Sequence, residues 1–296
     1  SEGSDDSKTP ITPPPSGGST GIDPDKVTLE RYTVFNSGSS SSPANAYRIP
    51  SFVTAPDGQL LAFGEARWDS WVDKSRTDIV MKVGSTDGKN WSNEVILTPG
   101  GAGAYMDPVA VVDATTQKVF LFTTYWPDKT GKDNKAYCIT IEKVGQTWQK
   151  TTIDDISNLF NLPDKSRLIG GFGPGSGLQM SGDKYAGRLI VPIRLFKWDN
   201  STSKLANVGL GALYSTDHGK TWVVGNPAST TGEFQIAECP KNTLIYNMRG
   251  AQRYYGRSTN GGIDWSKHAS YSNPDQLPVP DRGCQGSILG QGSVLY

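Results

Sequence analysis

Two arginine-bearing motifs flank a turn near residue 57. Tyr47-Arg48-Ile49-Pro50 precedes it, Phe63-Gly64-Glu65-Ala66-Arg67 follows it, and Asp69, Asp73 and Asp78 come next along the chain. A second set lies far downstream: Glu233 and Glu238, five residues apart, then Asn247-Met248-Arg249. Asp107 stands between the two sets in Tyr105-Met106-Asp107-Pro108. A planar guanidinium binds a carboxylate through two parallel charge-assisted hydrogen bonds, which an ammonium cannot do. A carboxyl group can give or take a proton at a reacting bond. The chemistry these types allow is therefore anion binding by an arginine cluster with acid–base groups beside it. Other chemistries find little support. The two histidines, His218 and His268, are far apart, with no metal-ligand spacing and no Ser-His-Asp set. The glycine run 173–177 lacks the strand and helix context of a nucleotide loop. No cofactor and no metal are expected.

Positioning these residues falls to short strands. Residues 51–55 and 59–64 flank Pro56-Asp57-Gly58, a hairpin signal, and residues 109–112 and 118–123 flank another turn. Residues 187–193 and 208–214 are further strand candidates, and the one helical candidate is short, residues 153–160. The period-two alternation broken by turn formers predicts an all-β chain. A segment repeats: Ser215-Thr216-Asp217-His218-Gly219-Lys220-Thr221-Trp222 is the fullest copy, with others at residues 258–265 and 85–91 and an eroded one at 145–148. The steps from Trp91 to Trp148, Trp222 and Trp265 are 57, 74 and 43 residues, the size of four-stranded blades with insertions. In each copy a short polar side chain can bond turn amides, a glycine can take φ > 0, and the tryptophan can pack back between sheets.

These segments resemble the Asp-box repeats of sialidase-type propellers, where they are folding devices. The Arg-Ile-Pro motif, the hairpin, the Glu-Ala-Arg motif and the spaced aspartates resemble the sialidase (neuraminidase) family in order and spacing. So do Tyr105-Met106-Asp107-Pro108, the segment 173–192, the Glu233…Arg249 pair and Cys284-Gln285-Gly286-Ser287, so that the likeness runs from about residue 45 to 290. The resemblance implies a six-bladed β-propeller of sialidase type, with about five blades in this chain, and a retaining exo-α-sialidase acting on sialylated glycans. A trans-sialidase, or a sialic-acid-binding propeller without catalysis, are its alternatives. It makes Arg48 and Arg249 two of three arginines that clamp the sugar carboxylate. It makes Asp73, six residues after Arg67, the acid/base, with Asp69 and Asp78 as competing carboxylates and Trp71 and Val72 as neighbours able to desolvate it. Arg67 either contacts the sugar or pairs structurally with Glu65 or another acid. Asp107 either lies near the N-acetyl side of the sugar or caps a turn. Glu233, with Glu238 as rival, activates a tyrosine nucleophile, which avoids the repulsion an anionic nucleophile would meet from the substrate carboxylate. In family order that tyrosine and the third arginine follow the Cys284 segment by tens of residues. Tyr296 comes too soon and Arg282 too early, so a C-terminal piece is expected to be absent.

Composition sets the remaining bounds. With 29 basic and 29 acidic residues the formal charge is zero, so no global field points to nucleic acid or a membrane surface. No apolar stretch is long enough for a transmembrane helix. Three cysteines, Cys138, Cys239 and Cys284, permit at most one disulfide. Residues 1–24 are rich in Ser, Gly, Pro and Thr and read as a tether ahead of a propeller domain over residues 25–296. A monomer that is secreted, periplasmic or held at the cell surface, with lipid anchoring one route, is the expected setting.

Overall fold

The computed structural model describes residues 28–161, 169–230, 232–250, 253–267, 269–270 and 284–296. The chain divides into a short unit, Ser1–Tyr32, and a main one, Thr33–Tyr296. The expected tether over residues 1–24 lies outside the described residues, as do His268 and Arg282.

The main unit is a succession of antiparallel sheets. The first contains β1 (Ala46–Thr54), β2 (Leu60–Arg67), β3 (Thr77–Gly84) and β4 (Val95–Ile96) in sequence order. The second contains β5 (Ala104–Asp113), β6 (Lys118–Trp126), β7 (Lys135–Val144) and β8 (Thr147–Asp155). In the third, β9 (Ile169–Phe172) and β11 (Leu178–Gln179) both pair with β12 (Leu189–Asp199), followed by β13 (Lys204–Ser215) and β14 (Val223–Val224). Between them β10 (Gly175–Ser176) crosses to pair in parallel with β5. The fourth sheet is β15 (Phe234–Glu238), β16 (Leu244–Met248), β17 (Tyr254–Ser258) and β18 (Ala269–Ser270). A hairpin of β19 (Gly290–Gln291) and β20 (Val294–Leu295) completes the described chain. Where about five blades are expected, the described residues form four strand groups, the first two joined into one sheet by a single parallel pair between Thr77 of β3 and Ala104 of β5, and this hairpin.

The core sits between consecutive sheets, as in a propeller. Leu61, Phe63, Ile79, Met81, Ala110 and Leu121 pack between sheets one and two. Val109, Val111, Phe120, Phe122, Val191, Ile193 and Trp222 pack between sheets two and three. Ile190, Leu210, Ala212, Phe234, Ile236 and Tyr246 pack between sheets three and four. Alternate residues of one strand thus face opposite neighbours: Ala110 and Leu121 look back, while Val109, Val111, Phe120 and Phe122 look forward. This is why the inner strands are apolar on both faces. The helical candidate at 153–160 is not a helix. Its first part continues β8, where Thr151, Thr152 and Ile153 form a β-branched run paired with β7, and only Ser157–Phe160 makes a 3-10 turn that buries Phe160.

Every copy of the repeat follows the third strand of its sheet: β3, β7, β13 and β17 end where residues 85–91, 145–148, 215–222 and 258–265 begin. In the third sheet Ser215 Oγ accepts from the Gly219 amide at 2.8 Å and Asp217 Oδ1 from the Thr221 amide at 2.9 Å. In the fourth, Ser258 Oγ and Asn260 Oδ1 accept from Gly262 and Asp264, both at 2.9 Å. Gly219 has φ +81°, and a Cβ there would fall on the Phe120 ring of the neighbouring sheet, so glycine is required by conformation and by space.

Candidate active site

Two bulges set the first part of the site. Register shifts in β1 between Arg48 and Ser51, and in β5 between Met106 and Val109. Each bulge holds a residue of positive φ directly before a proline, Ile49 at 54° before Pro50 and Asp107 at 56° before Pro108. The left-handed region is rare for a β-branched residue and the proline restricts it further. Such a kink re-aims side chains at a strand end. Both bulges lie near strand ends: Arg48 pairs with Glu65 just before β2 ends at Arg67, and Asp107 feels the charge of Glu233, which leads into β15.

The side chains there form a bonded chain from Arg48 to Arg194 and a separate Glu233–Arg249 pair. Arg48 Nη1 donates to Asp73 Oδ1 at 3.2 Å, and Arg67 Nη1 donates to the same oxygen at 2.7 Å and to the Trp71 carbonyl at 2.6 Å. Arg67 Nε and Nη2 donate to Glu65 Oε2 at 2.8 and 2.6 Å. Glu65 Oε1 accepts from the Asp107 amide at 2.9 Å, and Asp107 Oδ2 accepts from Arg194 Nη2 at 2.8 Å. Arg249 Nη1 donates to Glu233 Oε2, and the Arg249 amide donates to the Glu233 carbonyl at 2.9 Å. Burial pushes Glu65 up, aided by the charge of Asp107 and opposed by Arg67. Burial also raises Asp107; Arg194 pulls it down, while the charges of Glu233 and Asp73 raise it further. Asp107 therefore lies within electrostatic reach of carboxylates from two other parts of the chain. Among the described residues no group of three or more His, Cys, Asp and Glu side chains is arranged to hold a metal ion.

The competing carboxylates are tied elsewhere. Asp69 is clasped by Arg76 at 3.0 and 2.8 Å. Buried Asp78 accepts from Trp68 Nε1 at 2.8 Å and from Thr98 Oγ1 at 2.6 Å. Glu238 sits at the far end of β15, about 17 Å along the strand from Glu233, and accepts from the amides of Ser181, Gly182 and Asn242. Arg67 has no exposed surface, and its guanidinium bonds Glu65, Asp73 and the Trp71 carbonyl. Trp71 and Val72 do not shield Asp73: they are 66% and 46% exposed, and the Asp73 side chain is itself 63% exposed.

Arg194 has no place in the motif reading. It lies in β12, donates through Nε to the Phe172 carbonyl at 3.2 Å and holds Asp107. Its signal was a lone charge inside the apolar run Leu189-Ile190-Val191-Pro192-Ile193-Arg194-Leu195, where a buried cation needs an acidic partner. Gln285, in the Cys284 segment, reaches the Pro174 carbonyl at 2.8 Å. Cys138 and Cys239 are buried and Cys284 is exposed.

A model of the BNR repeat-like domain matches residues 52–296. The sialidase of Bacteroides fragilis is 28% identical over 82% of this chain and 46% of its own length. Among solved structures, the Hadza microbial sialidase Hz136 superposes with a TM-score of 0.68 at 25% identity, over 83% of this chain and 50% of that one. The intramolecular trans-sialidase from Ruminococcus gnavus gives 0.65 at 19% identity, over 81% and 73%, a likeness of fold. The chain thus spans about half the length of the first two. With the repeat domain matched over most of its residues and sialidases on both sides of the comparison, the chain belongs to the sialidase family.

Proposed function

We propose that this chain carries the catalytic face of a retaining exo-α-sialidase that removes terminal sialic acid from sialylated glycans. One observation carries the reading: Asp73, exposed in the loop between β2 and β3, is bonded by Arg48 and Arg67 together, and its charge reaches Asp107. Arg48 and Arg249 are partly exposed, at 42% and 39% of their side chains, and each already holds a carboxylate of the protein. Asp73 and Glu233 occupy places at Arg48 and Arg249 that a substrate carboxylate would take. Asp73, freed when the sugar carboxylate takes over Arg48, protonates the leaving oxygen. Arg67 acts as a positioning residue for Asp73. Glu233 serves as the base toward a tyrosine nucleophile; no described tyrosine is assigned that role. Asp107, held by Arg194, faces the N-acetyl side of the ring. No cofactor enters the scheme. The composition of residues 1–24 suits a tether that would hold the domain off a surface outside the cytoplasm.

The test replaces Asp73 with Asn. Hydrolysis of a sialoside with a poor leaving group falls by about 10²–10⁴-fold, and that of an activated aryl sialoside falls less, because its leaving group needs no proton. Equal activity of wild type and variant on both substrates removes Asp73 from its role. Product analysis for free, anhydro or transferred sugar separates hydrolysis from transfer.

A further inference from the structure

At two places in the fold a lysine of one sheet lies over a tryptophan of the next. Lys74, between β2 and β3 of the first sheet, holds its ammonium 4.2 Å from the ring centre of Trp126, which ends β6 of the second. Lys132, between β6 and β7 of the second, holds its ammonium 5.8 Å from the ring centre of Trp198, near the end of β12 of the third. Both distances are within reach of a cation–π contact. The lysine comes each time from the loop after the second strand of its sheet, and the tryptophan from the end of the second strand of the next. The Trp126 ring is itself pinned: Gly131, at φ +81°, passes so close that a Cβ there would meet the ring at 2.7 Å.

The first of these pairs stands next to the proposed acid. The Ser75 amide donates to the Val72 carbonyl at 3.3 Å, which makes Asp73 and Lys74 the two central residues of a turn. Lys74 has φ 62°, a left-handed backbone that a lysine keeps only where its surroundings hold it. The turn is tied on two sides. Asp73 is bonded by Arg48 and Arg67 of its own sheet, while Lys74 reaches Trp126 of the next. Trp71 and Val72, on the N-terminal side of the turn, are exposed, so apolar burial does not anchor it.

We propose that Trp126 is a positioning residue for the acid: it captures Lys74, so that Asp73 keeps its place once the sugar carboxylate takes over Arg48. This rests on the proposed role of Asp73. With Arg48 given over to the substrate, Arg67 Nη1 is the remaining donor to Asp73 Oδ1, and one donor fixes a side chain less well than two. The contact of Lys74 with Trp126 supplies a second fixed point from another sheet. It does not involve the Asp73 carboxylate, so it persists through the exchange. An aromatic partner also suits the task better than an acidic one. An acid beside Lys74 would compete with Asp73 for Arg48 and Arg67.

The experiment measures kcat on 3′-sialyllactose, whose leaving group is poor, and on an activated aryl sialoside, for Trp126→Ala, Lys74→Met, Lys74→Arg and Lys132→Met. Trp126→Ala and Lys74→Met lower kcat on 3′-sialyllactose about 2- to 10-fold, the range of one cation–π contact, and on the aryl sialoside less. Lys74→Arg, which keeps the cation, keeps kcat. Lys132→Met, which breaks the equivalent pair one sheet further on, leaves the ratio of the two rates unchanged. In an Asp73→Asn background Lys74→Met costs nothing further. A readout without turnover is hydrogen exchange of the Ser75 amide, which quickens by a similar factor in Trp126→Ala and Lys74→Met. Where Trp126→Ala does not fold, Lys74→Met decides. Equal losses on both substrates, a full further loss in the Asp73→Asn background, a Lys132→Met variant that shifts the ratio as Lys74→Met does, or unchanged Ser75 exchange overturns the proposal. Asp73→Asn at wild-type rates on both substrates, or a wild type without turnover, overturns the underlying reading instead, and with it the proposal.

Discussion

Arg67 has no solvent-exposed surface, yet it joins a fully buried acid, Glu65, to a largely exposed one, Asp73. A charge so placed depends on its partner, because removing one member leaves the other uncompensated in a low dielectric. Arg67→Met is therefore expected to lower stability by about 3–5 kcal/mol, read from the urea midpoint. Adding Glu65→Gln to it should recover most of the loss. A single variant as stable as the wild type would contradict this account. At this scale the sequence was informative where residues are joined by motif. Arg48, Arg67, Asp73 and Asp107 come together in one bonded network, with Glu233 in electrostatic reach and Arg249 on it. What spacing could not show was exposure. Arg67 and Trp71 are four residues apart, and nothing in their order says that the cation is buried and the indole exposed. Arg194 was missed for a related reason: its partner Asp107 is 87 residues away, on a different sheet.

At the scale of elements, the repeat turns end third strands and are held by their own side chains. Asp217 is the clearest case. Hydrogen bonds from the Thr221 hydroxyl and amide hold its carboxyl down at about 2, below the 3.8 of a free aspartate. A depressed folded value means the turn's contribution is complete above about 4 and is lost as pH falls toward 2. Thermal melts between pH 6 and 2 should show Asp217→Asn with a shallower acid loss than wild type. At neutral pH Asp217→Ala should cost about 1 kcal/mol. Parallel acid profiles for Asn variant and wild type would show that Asp217 does not titrate with folding. Strands and turns were legible because both rest on local rules: alternation, a turn pair such as Asp57-Gly58, a serine three or four residues before a glycine. The stretch 153–160 was misread because its apolar spacing fits a helix, while pairing of β8 with β7, a tertiary contact, decides the outcome.

Across the whole molecule the same turns join neighbouring sheets in a repeated way. Asp57, in the β1–β2 turn of the first sheet, accepts from Lys143 and from Trp148 Nε1 of the second. Buried Asp113, ending β5 in the second sheet, lies 3.1 Å from His218 Nδ1 in the repeat turn of the third. Arg188, just ahead of β12 in the third, donates to the Gly261 carbonyl in the repeat turn of the fourth at 2.8 Å. Each sheet thus reaches the repeat turn of the next, and even the eroded copy at 145–148 takes part. Burial raises Asp113, but hydrogen bonds from Thr116, Gln179 and the Thr115 amide, with the charge of His218, bring it below the ordinary value. Coupling that passes only between neighbours predicts a pattern in double-mutant cycles. Asp113→Ala with His218→Ala should be non-additive by about 0.5–1.5 kcal/mol, since the two side chains touch. Asp57→Ala with His218→Ala, which share no partner, should add within about 0.5 kcal/mol. Additivity in both cycles would mean that the turns stabilise their own sheets alone, and that the apolar layers between sheets hold the blades together without them.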